Sequence, residues 1–348
     1  MIDDGSKRPW LRACAQPLAA RYDVALLDLD GVVYLGPQPI AGAAQAIAKA
    51  REAGMRFAFV TNNASRDPVT VAAHLVELGV PATPDEVVTS AQAAASVVRD
   101  RLGEGATVLV TGSPALRTIV EAAGLLPVAS ADDRPEAVVQ GFWAQLAYQD
   151  LAEATVAVRG GALWVATNVD STLPSPRGLL PGNGSLVGVV ATASGQKPIV
   201  AGKPELPLHA EGVRRLDAKR PLVVGDRLDT DIEGANAAQT DSLLVMTGVT
   251  TAAEMLGAPA EHRPTYLACD LVGLLEPQPG VVVDEQGARC GTWVARRRVD
   301  GGRGGVDLIG DGPSVDGLRA LLALSWAADD AGEELTNVAQ TLAGLEIH

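Results

Sequence analysis

The chain has 348 residues, 47% apolar and 20% charged, which suits two or three domains at roughly 100–200 residues each and a sizeable packed core. A formal charge of −14 argues against nucleic acid or an anionic membrane surface as partner. Three scattered cysteines (Cys14, Cys269, Cys290) make neither a disulfide framework nor a metal-binding spacing, and no apolar run reaches the ~18–20 residues of a membrane span. Met1–Arg12 lacks the apolar stretch of a signal peptide, so the expectation is a cytoplasmic protein.

From residue 24 to 79 the pattern reads strand, helix, strand, helix. The apolar strand 24–27 ends at Asp28-Leu29-Asp30-Gly31, and a helix over 40–53 stops at Gly54, a suitable C-terminal cap. The strand 57–60 ends at Thr61-Asn62-Asn63. Asp67-Pro68 then opens a helix as N-cap and first-turn proline, and Gly79 closes it. Such alternation predicts a doubly wound parallel sheet.

A second α/β series fills 83–181. It has strands at 107–110, 137–140 and 163–166 and helices at 91–102, 115–123 and 149–158, long enough for a domain of its own. The first pattern resumes with a helix at 185–194, a strand at 198–201 ending in Gly202-Lys203-Pro204, and a strand at 221–224 running into Gly225-Asp226 and Thr230-Asp231. A strand at 243–247 and a βα unit at 265–275 complete that sheet. The Pro-rich stretch 276–280 reads as a linker. Beyond it come strands at 281–283, 293–298 and 306–309, a flexible glycine turn at 301–305 and a helix at 315–328.

Ligands bind at the carboxyl ends of parallel strands, so four strands would bring four polar stations to one crevice. Asp28 and Asp30 lie two apart on extended chain and share a face. Two close carboxylates repel each other unless a cation joins them; Asp30-Gly31 also makes a simple turn. Thr61-Asn62-Asn63 offers a hydroxyl and backbone N–H groups to a phosphate oxygen, and turn chemistry explains Asn-Asn after a strand equally well. Lysine is scarce, five against 23 arginines, which marks Lys203 as the cation for a phosphate. Pro204 and the upstream spacing exclude a Walker loop. Asp226 and Asp231 supply hard oxygens suited to Mg²⁺, and Asp231 also suits the cap of a helix starting near Ile232. Together the stations fit Mg²⁺-assisted phosphoryl transfer to an aspartate.

Asp-x-Asp-Gly, Thr-Asn-Asn, Gly-Lys-Pro and Gly-Asp-x-x-x-Thr-Asp resemble the four motifs of haloacid dehalogenase-like (HAD) phosphatases. Leu29-Asp30-Gly31-Val32-Val33-Tyr34, Val60-Thr61-Asn62-Asn63 and Ala201-Gly202-Lys203-Pro204-Glu205 narrow the resemblance to the NagD, p-nitrophenylphosphatase and phosphoglycolate phosphatase branch, as do Ala166-Thr167-Asn168-Val169-Asp170 and Pro181-Gly182-Asn183-Gly184. It covers about residues 20–275. It implies an α/β fold: a HAD core formed by 1–82 and 182–277, a large α/β cap at 83–181 inserted between the second and third motifs, and a small α+β tail at 280–348. It also implies Asp28 as nucleophile and Asp30 as general acid/base. Thr61 and Lys203 would bind the phosphoryl group, with Asn62 and Asn63 lining its loop. Mg²⁺ would be held by Asp28, the Asp30 carbonyl and Asp226, with Asp231 in support.

A closing cap restricts the substrate to a small phosphorylated metabolite, with Asn168, Asp170 and Arg177 as candidate specificity residues. Family resemblance points to glycerol 3-phosphate first, with phosphoglycolate or a sugar phosphate as alternatives. A phosphotransferase and a non-catalytic ligand sensor with a regulatory tail are the rival readings. The tail's strands-then-helix order could belong to a fragment of an acetyltransferase-like fold, but no Gln/Arg-x-x-Gly-x-Gly/Ala loop is there for acetyl-CoA. The tail is expected to be an accessory module, and self-association through cap or tail is expected with it. Its cluster Arg296-Arg297-Arg298 with Arg303 reads foremost as a solvated strand face.

Overall fold

The computed structural model of the chain describes residues 10–175, 177–300 and 303–345. Residues up to Arg56 together with those from Lys219 form one packed unit, and Phe57–Ala218 form a second.

In the first unit, Val24-Ala25-Leu26-Leu27 is buried throughout, as befits a parallel strand covered on both faces. The strand Val24–Asp28 lies beside Pro221–Gly225, which lies beside Asp241–Val245 and then Tyr266–Ala268, all parallel. Leu27 pairs with Val224, so Asp28 and Asp226 emerge at adjacent strand ends. The expected last βα unit ends in a 3-10 turn, Leu271–Leu274, instead of an α-helix.

The tail belongs to this unit's core. Strands Val282–Asp284, Gly287–Cys290, Trp293–Asp300 and Arg303–Ile309 are antiparallel, and Leu335–Thr336 joins the last in parallel. The helix Ser314–Ala331 lies against them and buries Leu318, Leu321, Leu322 and Trp326 in one cluster with Leu244 and Leu267 of the parallel sheet and Met255 of the short helix Ala252–Leu256. Each such side chain contributes about 1.5–3 kcal/mol when fully buried. Of the expected glycine turn, Gly301-Gly302 lies outside the described residues, and Arg303-Gly304-Gly305 is strand. In the basic cluster, Arg297 pairs with Glu333 and Arg298 with Asp307, while Arg296 is exposed.

In the second unit, a five-stranded parallel sheet runs in the order Ile199–Val200, Leu163–Ala166, Ala137–Gln140, Thr107–Thr111, Leu126–Val128. Helix Asn183–Ser194 buries Val187 and Val190 in the same cluster as Ala154, Val158 and Trp164. The layer expected to stop at 181 therefore continues to Val200. This also corrects the expectation that the strand before Lys203 stands in the same sheet as the strand before Asp28: Ile199 pairs with Val165, and a strand of two residues takes whichever edge its neighbours offer. Strand Arg56–Thr61 runs parallel to Val87–Thr89. Helix Pro68–Glu77 starts as expected, with Asp67 accepting from the Thr70 N–H at 2.7 Å. A hairpin, Thr172–Ser175 with Gly178–Pro181, follows Asp170.

Candidate active site

The first unit holds a carboxylate cluster. One carboxylate oxygen each from Asp28, Asp226 and Asp231 lie within 4.8 Å of one another. Asp28 is half-buried at its strand end, Asp226 and Asp231 are buried, and the Asp30 side chain is exposed. Asp231, expected in a supporting place, thus stands inside the cluster. Nor is it an N-cap: the helical turn already begins at Leu228, and its carboxylate accepts from the Arg227 N–H at 3.2 Å.

The loop after the strand Asp241–Val245 was not singled out from sequence, yet it sets the Asp226 carboxylate. Val249 N–H donates to Asp226 Oδ2 at 2.6 Å and Thr250 N–H to the Asp226 carbonyl at 3.3 Å. Thr247 Oγ1 donates to the Gly31 carbonyl at 2.6 Å. Any Cβ on Gly31 or Gly248 would collide with the Asp226 carboxylate, and Gly31 also has φ +83°, a region that only glycine enters cheaply. The signal was present in Thr247-Gly248-Val249, a glycine just past a buried strand.

Three buried or half-buried carboxylates at this spacing repel each other, and a cation relieves both repulsion and desolvation. All-oxygen donors of this kind suit a hard divalent cation such as Mg²⁺ or Ca²⁺. The donor set therefore fits the metal that the motifs imply.

The second unit holds Thr61, Asn62, Asn63 and Lys203. Thr61 is buried and Lys203 half-buried. Asn62, expected to line a phosphate loop, has its side chain committed elsewhere. Its Oδ1 accepts from the Lys203 N–H at 2.8 Å and its Nδ2 donates to the Lys203 carbonyl at 3.2 Å, so the amide pairs with that residue as a neighbouring strand would. A longer contact, 3.5 Å, joins Nδ2 to Asp170 Oδ2. Gly202 has no room for a Cβ against Asn62 Oδ1 and the Thr167 carbonyl. Asn63 Oδ1 caps the turn, accepting from the Ser65 N–H at 2.8 Å.

The expected specificity residues divide. Asn168 is buried: its Nδ2 donates to the Asn62 carbonyl at 2.8 Å, and its carbonyl accepts from Asn183 Nδ2 at 2.7 Å. It is a scaffold residue, because buried amides must find partners. Asp170 is half-buried, and Arg177 is exposed at the hairpin turn. After Lys203 the helix Leu206–Arg215 carries Glu211, bonded by Arg214, Arg215 and Ser96. Burial pushes the Glu211 carboxyl upward, and the two arginines more than reverse this, leaving it below the usual range. Burial holds the His209 imidazole below its ordinary value.

Two family models match the chain: haloacid dehalogenase-like hydrolase over residues 25–126 and HAD-hydrolase-like over 200–274. D-glycerol 3-phosphate phosphatase of Mycobacterium tuberculosis is 49% identical over 319 residues, 89% of this chain and 88% of the relative. The chain belongs to the haloacid dehalogenase-like hydrolases. Within that family, the acid sugar phosphatase of Staphylococcus haemolyticus is 40% identical over 72% of this chain and 94% of its own. The crystal structure of the M. tuberculosis glycerol phosphate phosphatase in complex with magnesium superposes with a TM-score of 0.84 at 45% identity, covering 96% of this chain and 99% of that one. The p-nitrophenyl phosphatase of Archaeoglobus fulgidus gives 0.68 at 28% identity, over 73% and 98%.

Proposed function

We propose that this chain is a Mg²⁺-dependent phosphatase that hydrolyses glycerol 3-phosphate. The observation that carries the substrate assignment is the extent of the likeness. The acid sugar and p-nitrophenyl phosphatases cover 72–73% of this chain, whereas the mycobacterial glycerol phosphate phosphatase covers 96%, tail included. The carboxylate cluster supports the metal dependence.

In this reading an Asp28 carboxylate oxygen attacks phosphorus as the bond to the glycerol oxygen breaks, and the Asp30 carboxyl gives its proton to the leaving alkoxide. Asp30, now ionised, takes a proton from water. The water oxygen attacks the aspartyl phosphate, the Asp28–phosphorus bond breaks, and inorganic phosphate leaves. Splitting the reaction at an enzyme carboxylate replaces one difficult displacement by two easier ones. Asp28, Asp226, Asp231 and the Asp30 carbonyl would hold Mg²⁺, which neutralises negative charge on the transferring group. Thr61 and Lys203 carry the phosphoryl oxygens, because positioning and cations supply most of the catalysis of phosphoryl transfer. Asn62 and Asn63 shape the loop, and Asp170 and Arg177 read the leaving group.

The second-unit layer acts as the cap. The reading places the enzyme in the cytoplasm, acting on a small metabolite without nucleic acid. The charge of −14 and the three free cysteines support this. Among the described residues no helix is long and apolar enough to cross a membrane.

The test is phosphate release from glycerol 3-phosphate, 2-phosphoglycolate and sugar phosphates, with and without Mg²⁺, in wild type and Asp28→Asn. Release that needs Mg²⁺, is lost in Asp28→Asn and is fastest with glycerol 3-phosphate is expected. A sugar phosphate as best substrate would overturn the substrate assignment. No release from any of them by folded protein would overturn the phosphatase reading.

A further inference from the structure

The loop that orients Asp226 is followed at once by a helix of five residues, Ala252–Leu256. A helix this short does not sustain itself, since nucleation is costly and each turn repays little. Its start is tied by a capping box: the Thr251 N–H donates to Glu254 Oε2 at 2.8 Å, and the Glu254 N–H returns to Thr251 Oγ1 at 3.2 Å. Its end is tied by the tail. The Trp326 Nε1–H donates to the Met255 carbonyl at 2.8 Å, which also takes the Ala258 N–H at 3.2 Å. Trp326 is fully buried.

A second contact reinforces the first. The Arg263 guanidinium lies over the Trp10 and Trp326 rings, 5.1 and 5.4 Å from their centroids. Its Nε donates to the Ala258 carbonyl at 3.0 Å, and its Nη1 pairs with Asp330 Oδ1 at 2.9 Å. The Met255 carbonyl in the last turn of the short helix and the Ala258 carbonyl two residues past its end are therefore gripped by groups on, or locked to, the tail helix Ser314–Ala331. At the other end of the same short stretch, Val249 and Thr250 hold Asp226. One short, otherwise weak element joins the tail to a carboxylate of the cluster.

We propose that the C-terminal segment, through the Trp326 bond to the Met255 carbonyl, positions the loop whose backbone holds Asp226, and thereby sets the affinity of the carboxylate cluster for its divalent cation. This rests on reading the cluster as a metal site. Trp326 is a positioning residue: it acts on the metal through the helix and loop. Groups that directly orient metal ligands affect affinity about 10–100-fold. Acting one step further away, Trp326 should matter roughly 3–10-fold on the same scale.

The experiment measures Mg²⁺ affinity of the full chain by titration calorimetry, with kcat and KM at rising Mg²⁺, for wild type, Trp326→Phe, Asp330→Asn and Trp293→Phe. Phenylalanine removes the Nε1–H donor together with part of the buried indole volume, a volume loss that Trp293→Phe, against the same core, shares. Asp330→Asn loosens Arg263 without opening the core, and serves if Trp326→Phe does not fold. Trp293→Phe perturbs the same tail core away from the short helix. The expected result is weaker Mg²⁺ binding in Trp326→Phe, a smaller loss in Asp330→Asn, kcat recovered at saturating Mg²⁺, and wild-type affinity in Trp293→Phe. Unchanged affinity in the folded Trp326→Phe and Asp330→Asn variants, or an equal loss in Trp293→Phe, would overturn the positioning role alone. A wild-type protein that binds no Mg²⁺ would overturn the metal reading and this inference together.

Discussion

Around Asp226 three carboxylates share one small volume, whereas around Asn62 the hydrogen bonds run almost entirely between neutral amides, a hydroxyl and backbone groups. The first arrangement carries electrostatic strain that an added cation relieves. In the second, the amides of Asn62, Asn168 and Asn183 each donate to a backbone carbonyl. The two regions hold their parts differently as a consequence. Backbone N–H groups and a lack of Cβ atoms orient the carboxylates, while a side-chain amide pins the segment that bears the lysine. The first should respond to metal and to small steric changes, and the second to loss of hydrogen bonds.

Substitution of Asp30, the proposed proton-transfer group, should have the largest effect. Asp30→Asn is expected to cut kcat by about 10²–10⁴-fold, the usual contribution of general acid–base help. Steady-state phosphate release measures this, and calorimetric Mg²⁺ affinity should stay near wild type because the exposed side chain lies outside the cluster. Next, Gly31→Ala should lower kcat/KM by about 10²-fold, the scale of a misplacement of about 1 Å, and weaken Mg²⁺ binding as well. Normal Mg²⁺ affinity in that variant would break the idea that close backbone approach sets the Asp226 carboxylate.

In the amide region, Asn62→Ala should reduce turnover about tenfold and destabilise the fold by about 1–3 kcal/mol, the range for stranding buried partners. Mg²⁺ affinity should not change, which sharpens the contrast with Gly31→Ala. Paired urea melts and calorimetry separate the two effects. The smallest effect is expected at Glu211. Its folded carboxyl is held below the usual range, so its stabilisation is present above the unfolded value of about 4.3 and disappears as pH falls through the lower folded value. Glu211→Gln should therefore cost about 1–3 kcal/mol at neutral pH. The gap to wild type should close in acid, as urea midpoints at several pH values would show.

Much of the fold was legible because local pattern and tertiary demand agree. In the strands Ala137–Gln140 and Leu163–Ala166 the apolar runs Ala137-Val138-Val139 and Trp164-Val165-Ala166 stay buried, and Asp67-Pro68 caps a helix where such a pair should. The strand Leu126–Val128, the hairpin after Asp170 and the strand Gly287–Cys290 were missed. They are short, and their residues carry little period-2 signal. The loop Thr247–Thr250 was passed over because Val249 and Thr250 hold Asp226 through backbone N–H groups, which any residue except proline supplies.

The order and spacing of Asp28, Asp30, Thr61, Lys203, Asp226 and Asp231 are properties of the sequence, and they were enough to point to phosphoryl chemistry, because each motif is local and its residue types are chemically distinctive. Three matters were decided only by tertiary structure. Ile199–Val200 pairs with Val165–Ala166, the Asn62 amide turns to Lys203, and the tail helix completes the core beneath the Asp226 loop. Each depends on a partner far away in the chain, and no local spacing records which partner a short edge strand, a side-chain amide or an apolar helix face will meet.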